Sequence, residues 1–186
     1  MQRTASQTVG PFFLDALIHS GDEVIAKPGT VDEPIIIQGR VLDAEGSAVD
    51  DAFLEIFQAD AAGNHVADGI EARSGSSFTG FGRARTDASG EFRFATIYPG
   101  AASAAEGGNE APHLDLMVFA RGLLKPLVTR MYFAGNSANA TDMVLAQVPE
   151  NRRFTLEAQR DAGSEPAVWR FDVRLQGKDE TVFFDF

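Results

Sequence analysis

Residues 169–176 alternate strictly between apolar and polar side chains, and this pattern constrains the fold more than any other in the chain. Trp169, Phe171, Val173 and Leu175 take alternate positions, while charged or amide side chains fill the rest. Successive side chains of a β-strand point to opposite faces, so the pattern predicts a strand with one face in the core and one in water. Such a strand must belong to a sheet that covers a hydrophobic core.

The rest of the chain is typical of an all-β protein. Short β-branched and aromatic runs are separated by turn signals at residues 43–46 and 87–90. Helix is predicted only for a turn or two at residues 151–158, after Pro149. We therefore predict one domain over residues 1–186, an antiparallel β-sandwich with an N-terminal arm (1–34), a core that ends in a C-terminal tail (35–186) and long loops (66–79 and 100–110). The predicted strands are residues 35–42, 53–58, 83–86, 91–94, 113–119 and 125–133, together with 169–176.

Composition excludes several classes of function. The chain has 27 acidic residues against 16 Lys and Arg, a formal net charge of −11, so the basic surface that nucleic-acid binding requires is not expected. It has no cysteine, which excludes disulfides, thiolate catalysis and thiolate metal sites. A run of about 18 apolar residues and an N-terminal signal pattern are both missing, so we expect a cytoplasmic protein with no membrane association.

His113 and Asp115 lie two residues apart in a predicted strand and should project from the same face. A histidine in this setting is either hydrogen-bonded in the core or a metal ligand, and we favour the core histidine because its neighbours are not matching ligands. The only tyrosines, Tyr98 and Tyr132, are expected to pack in the core or at its rim. The aromatic tail at residues 183–186 either packs on its own domain or contacts a partner.

Several ordered motifs resemble the landmarks of the intradiol ring-cleaving dioxygenase family, and they span nearly the whole chain. That resemblance implies the transthyretin-like sandwich of this family. Two terminal segments, SQTVGPFF (6–13) and RLQGKDETVFFDF (174–186), are similar to the non-catalytic alpha subunit of its two-subunit members. The internal motifs are QGRVLD (38–43), EIFQAD (55–60), GRARTD (82–87), TIYPG (96–100) and MYF (131–133).

The resemblance implies a vestigial metal site. Catalytic chains of the family hold a non-haem ferric ion with two tyrosines and two histidines, and the bound catecholate is then attacked by O2. The matching positions in this chain are His65, Ala102, His113 and Asp115. With both phenolate positions changed, no ferric site of that kind is expected. A weaker alternative is that His65, His113 and Asp115 hold an adventitious divalent ion.

In such alpha subunits, matching residues line a pocket shared with a homologous, iron-bearing beta subunit in a higher hetero-oligomer. The resemblance assigns this role to Thr8, Gly10, Pro11 and Arg121, with Fe(III) held by the partner and a carboxylated catechol as substrate. The residues also admit simpler interpretations: 8–11 as an ordinary turn, and Arg121 as a surface charge.

Two other functions remain open at this stage. One is a self-sufficient dioxygenase for catechol or hydroxyquinol, which the missing tyrosines oppose. The other is a non-enzymatic transthyretin-like binding module, for which the two terminal segments would be unnecessary. We expect a chain that is inactive alone and contributes to ring cleavage through its partner.

Overall fold

The computed structural model describes residues 5–10, 12–27, 29, 33–65, 77–103 and 108–185. Pro11 and parts of both long loops lie outside these ranges. Within them the chain is mostly β, with short α-helices α1 (Phe12–Leu17) and α2 (Met143–Gln147) and 3₁₀ helices at Ser137–Thr141 and Glu150–Leu156. The strands are β1 (Pro34–Leu42), β2 (Phe53–Gln58), β3 (Phe81–Arg85), β4 (Glu91–Ile97), β5 (Ala102–Ser103), β6 (Asn109–Glu110), β7 (His113–Phe119), β8 (Leu127–Phe133), β9 (Glu157–Arg160), β10 (Ala167–Arg170) and β11 (Val173–Arg174).

The strands form two layers around a shared core, as the predicted sandwich requires. One layer has the antiparallel order β3-β2-β7-β8, and the other is built on β1, which pairs with β4, β10 and β11. Strand β9 joins the layers, because it pairs with both β8 and β10. The core between them combines Ile35, Ile37, Phe94 and Trp169 of one layer with Leu54, Ile56, Leu116 and Phe133 of the other.

The pairing of the strands is mixed, whereas the sequence pattern predicted an antiparallel sheet throughout. Three pairs are parallel: β1 with β10, β1 with β11, and β8 with β9. Alternation of apolar residues determines which face of a strand is buried, but it carries no information on which distant strand becomes the neighbour. The all-β sandwich prediction is thus confirmed, and the strand directions are the part that differs.

The alternating segment 169–176 does not form one continuous strand. Trp169, Phe171 and Val173 are buried as predicted, but the segment is split into β10 and β11. The backbone of Phe171 presses against Gly39, where an added Cβ would lie 1.7 Å from the Phe171 carbonyl oxygen. Asp172 then accepts a hydrogen bond from the Arg40 amide, 3.0 Å from N to Oδ1, in place of a backbone partner. A glycine in β1 therefore permits the close approach that interrupts the strand.

The predicted helical turn or two after Pro149 is present. The 3₁₀ helix Glu150–Leu156 follows Pro149, and β9 begins already at Glu157. Three other short helical segments were not predicted. One of them, α2, begins after Asp142, whose carboxylate accepts hydrogen bonds from the amides of Val144 and Leu145. None of the described helices is long and apolar enough to cross a membrane.

Candidate functional site

Charged side chains of β6, β7 and β8 meet where β7 begins and β8 ends. Cross-strand pairing places Asp115 opposite Arg130 and His113 opposite Tyr132. His113 and Asp115 project from the same face as predicted, with 3.8 Å between His113 Nε2 and Asp115 Oδ1. Glu110 of β6 joins them, its Oε2 lying 3.4 Å from His113 Nε2. We call His113, Asp115, Glu110 and Arg130 the Arg130 cluster.

Arg130 lies at the centre of this cluster with 12% of its side chain exposed. Its Nη1 donates to Glu110 Oε2 at 2.8 Å, and its Nε donates to Asp115 Oδ1 at 2.9 Å. Burial disfavours the charged guanidinium, but Asp115, Tyr132 and Glu110 outweigh it and hold the pKa of Arg130 above its ordinary value. One guanidinium thus binds two carboxylates.

His113 is buried, with a fixed orientation. Its Nδ1 lies 2.7 Å from the carbonyl oxygen of Ala111. A carbonyl oxygen only accepts hydrogen bonds, so Nδ1 carries a proton. The other ring nitrogen, Nε2, faces Glu110 and Asp115. This is the hydrogen-bonded core histidine that the sequence favoured.

Tyr132 and Asp142 form the inner wall behind the cluster. The Tyr132 hydroxyl donates to Asp142 Oδ1 at 3.0 Å, and the backbone amide of Ala111 donates to Asp142 Oδ2 at 2.8 Å. Because Asp142 also caps α2, its carboxylate is fully committed to hydrogen bonds. Burial raises the pKa of Tyr132, which favours the protonated phenol that donates to Asp142.

The two positions that match the family's tyrosines, His65 and Ala102, carry side chains that cannot act as phenolates. His65 is exposed after the turn at residues 60–64, and Ala102 is buried on β5 opposite Glu110. Gly63 packs this turn against the loop before Ala102, since an added Cβ would lie 2.0 Å from the Ala101 carbonyl oxygen. The fold thus keeps these loops together, although the methyl group of Ala102 has no donor atom for a metal.

The iron of the related enzymes does not fit here. Glu110 and Asp115 are ion-paired with Arg130, so a metal ion would have to displace a buried cation. In the described ranges, no group of three or more His, Cys, Asp or Glu residues is arranged to hold a metal. The predicted loss of a tyrosinate-iron site agrees with this geometry, and the weaker trio of His65, His113 and Asp115 gains no support from it.

A second region brings together residues predicted for a shared pocket. The backbone amide of Gly122 donates to Thr8 Oγ1 at 2.8 Å, which fixes the N-terminal arm beside the turn after β7. Arg121, on the same turn, is 72% exposed, and its Nε pairs with Asp51. The exposed Gly10 accepts a hydrogen bond from the Phe13 amide at the start of α1. We call Thr8, Gly10 and Arg121 with the adjoining cleft the Arg121 surface; Pro11 lies outside the described residues.

Aromatic packing anchors the arm that carries Thr8. The rings of Phe53 and Phe119 stack with centroids 4.4 Å apart, and Phe13 packs on Phe53 at 5.3 Å. Beside them lies a cleft of about 240 Å³, lined by Gln7, Val9, Phe13, Phe119, Ala120, Leu123, Leu124, Lys125 and Pro126.

Sequence reasoning missed Glu110, Arg130, Asp142 and Asp51. Arg130 gave the clearest signal, because a charged residue in the apolar run 127–133 needs a partner when it is buried. The other three are acidic residues in turns or at element ends, where a solvent-exposed role is the usual one.

Comparisons with known proteins agree with this picture. A family model described as "Dioxygenase" matches residues 8–177. The chain is 43% identical over 199 residues to the protocatechuate 3,4-dioxygenase alpha chain of Burkholderia cepacia, covering all of this chain and 98% of that one. It is 35% identical over 159 residues to the corresponding beta chain, covering 80% of this chain and 67% of the other.

A solved structure shows the same fold. The dioxygenase domain of a carbohydrate-binding fusion protein from Streptomyces sp. SirexAA-E superposes with a TM-score of 0.66 at 22% identity, covering 83% of this chain and 87% of that one. The long match to the family model and the full-length similarity to an alpha chain lead to one conclusion. The chain belongs to the intradiol dioxygenase family, a family that uses non-haem iron.

Proposed function

We propose that this chain is the alpha subunit of a protocatechuate 3,4-dioxygenase. It binds no iron itself and completes the active-site pocket of a homologous beta subunit, where protocatechuate and O2 are converted to 3-carboxy-cis,cis-muconate. The observation that carries this proposal is the 43% identity to an alpha chain over the whole length of the chain. The closed Arg130 cluster supports it, because the residues that the structure describes offer no metal site and iron chemistry would then need a partner.

The Arg121 surface is the part of this chain that we assign to the shared pocket. Arg121 is exposed and has one carboxylate partner in the described structure, Asp51. An exposed ion pair contributes little to stability, so Arg121 can leave Asp51 and bind the carboxylate of protocatechuate. The hydrogen bond from Gly122 to Thr8 keeps the arm at the edge of this site, with Gly10 two residues further along it.

In the assembly, Fe(III) held by the beta subunit supplies the activation of the catecholate toward O2. The residues of this chain bind and orient the substrate. Arg121 attracts its carboxylate, and the arm narrows the entrance to the pocket. Neither group takes part in bond making, so the isolated chain is expected to be inactive.

Apolar side chains beside the Arg121 surface suit a subunit interface. Phe12 is 81% exposed and Leu124 is 62% exposed, on α1 and at the rim of the cleft. Exposed residues of this size are the kind that become buried anchors in obligate complexes. We expect a cytoplasmic hetero-oligomer, and a chain that self-associates or aggregates when it is purified without its partner.

Co-expression with a beta subunit tests the proposal. The two chains should purify together and cleave protocatechuate, whereas this chain alone should show no ring cleavage. A matched variant, Phe12→Asp, should weaken co-purification without unfolding the chain, because Phe12 makes little contact within it. Ring cleavage by this chain alone, or a soluble monomer that ignores a homologous beta subunit, would contradict the proposal.

A further inference from the structure

The Arg130 cluster has a geometry that ion pairing alone does not explain. The two carboxylate oxygens bound by Arg130 also lie close to His113 Nε2, at 3.4 Å for Glu110 Oε2 and 3.8 Å for Asp115 Oδ1. Side chains from β6 and β7 thus direct two oxygens and one imidazole nitrogen toward a common region. The guanidinium of Arg130 is the positive charge in that region.

These donors make up a recognised ligand set. Two carboxylates and one imidazole are acceptable ligands for a divalent first-row metal ion. His113 also has the outer hydrogen bond that metal-bound histidines commonly make, from Nδ1 to a backbone carbonyl, here that of Ala111. The cluster therefore has side chains of the types that bind metal ions and the supporting contact, but these described residues are arranged around an arginine and form no metal site.

We propose that Arg130 is a built-in cation that takes the place of a metal ion, holding Glu110, Asp115 and His113 in position and excluding divalent ions from them. A guanidinium does not lose its proton in proteins, so this charge is permanent. It needs no metal supply, and it repels an incoming metal ion at short range. The inference concerns this chain alone and does not depend on a beta subunit.

The test is to neutralise the guanidinium while keeping the donors. In the full chain, Arg130→Gln should take up about one Zn²⁺ per chain and bind it on the order of a hundredfold more tightly than the unaltered chain, because the ion no longer meets a fixed charge. Equilibrium dialysis with Zn²⁺ measures the uptake. Co²⁺ reports the ligands independently through its visible absorption. Added Zn²⁺ should also raise the Tm of Arg130→Gln and leave that of the unaltered chain unchanged.

Arg83→Gln is the matched control. Arg83 also pairs with a carboxylate across neighbouring strands, from Nε to Glu55 Oε1 at 2.6 Å, but no histidine belongs to that pair. This variant should gain no Zn²⁺ binding. Arg130→Lys, which keeps the charge, should exclude Zn²⁺ as well, and adding Asp115→Asn to Arg130→Gln should abolish the uptake.

Each outcome of these experiments either supports or overturns the inference. If Arg130→Gln fails to fold in metal-free buffer, refolding with Zn²⁺ should restore it, and failure of that rescue would overturn the inference. Stoichiometric Zn²⁺ on the unaltered chain, or no more uptake by a folded Arg130→Gln than by Arg83→Gln, would overturn it equally. None of these results depends on ring-cleaving activity, so the proposed function can fail without affecting them.

Discussion

Two arginines of this chain stand in opposite environments. Arg130 is 12% exposed and bonded to two carboxylates, whereas Arg121 is 72% exposed and paired with one. Arg121 lies on the turn that joins β7 to β8, and Arg130 lies within β8. The difference between their environments therefore arises from local position. Arg130 projects from within β8 into a closed group of partners, and Arg121 lies where the chain turns outward.

The contrast separates a structural charge from one that is available to a ligand. A buried ion pair is costly to break, because the partner left behind keeps its charge without hydration. An exposed pair exchanges readily with water or with another anion. One arginine of this chain is therefore held permanently by its carboxylate partners, and the other, in our proposal, binds the carboxylate of the substrate.

Arg130→Ala should have the largest effect on stability. It leaves Glu110, 18% exposed, and Asp115, 38% exposed, without their cation, so we expect the free energy of unfolding to fall by about 3–4 kcal/mol, the low end for breaking a buried pair. Urea unfolding of the full chain measures this loss. Arg170→Ala is the control, since Arg170 pairs with Asp161 at the surface and should cost less than about 1 kcal/mol. Equal losses for the two variants would remove the distinction between a buried and an exposed pair.

Asp142→Ala should have the second-largest effect on stability. The substitution removes the cap of α2 and leaves the Tyr132 hydroxyl and the Ala111 amide without their acceptor. We expect a loss of about 2–4 kcal/mol. Asp43→Ala, which removes a carboxylate from a surface turn at residues 43–47, is the comparison. If Asp43→Ala lowered the free energy of unfolding more than Asp142→Ala, the hydrogen bonds between Asp142 and its partners would have little importance for stability.

Arg121→Ala should spare the fold and affect substrate use. In the assembled enzyme we expect KM for protocatechuate to rise by about tenfold, since a charge-assisted contact with the carboxylate is lost. Catechol has no carboxylate, so its KM should change much less. Lys125→Ala is the matched control, because Lys125 is equally exposed, lines the neighbouring cleft and pairs with Asp185. Equal changes for both substrates would make Arg121 a packing or interface residue.

Thr8→Val should have the smallest effect. It removes the acceptor for the Gly122 amide at an exposed site, so the free energy of unfolding should change by less than about 1 kcal/mol. We expect a roughly threefold rise in KM for protocatechuate, because the arm beside Arg121 becomes less well positioned. Thr8→Ser, which keeps the hydroxyl, should restore the original KM. Failure of this rescue would separate Thr8 from the pocket.

The sequence predicted the faces of the strands better than their partners. Trp169, Phe171 and Val173 are buried as their alternation required, because one face of a strand must meet the core. The parallel pairing of β1 with β10 was not predictable, since it depends on which distant strands meet. The break at Phe171 depends on Gly39, which belongs to another strand, so no local pattern could reveal it.

The candidate site was predictable where neighbouring residues define it. His113 and Asp115 share a face because they lie two apart in one strand. Glu110 and Arg130 were missed because their importance arises only when β6, β7 and β8 are side by side. The roles of Thr8, Gly10, Pro11 and Arg121, and the assignment of residues 1–186 to one domain, stay predictions.

Iron content is the most direct test of the central claim that this chain works in an iron enzyme without holding iron. The full chain purified alone should contain no stoichiometric iron and should lack the red-brown absorption of a tyrosinate-iron centre. The co-purified assembly should contain about one iron for each alpha-beta pair. One tightly bound iron per chain in the chain purified alone would contradict the account.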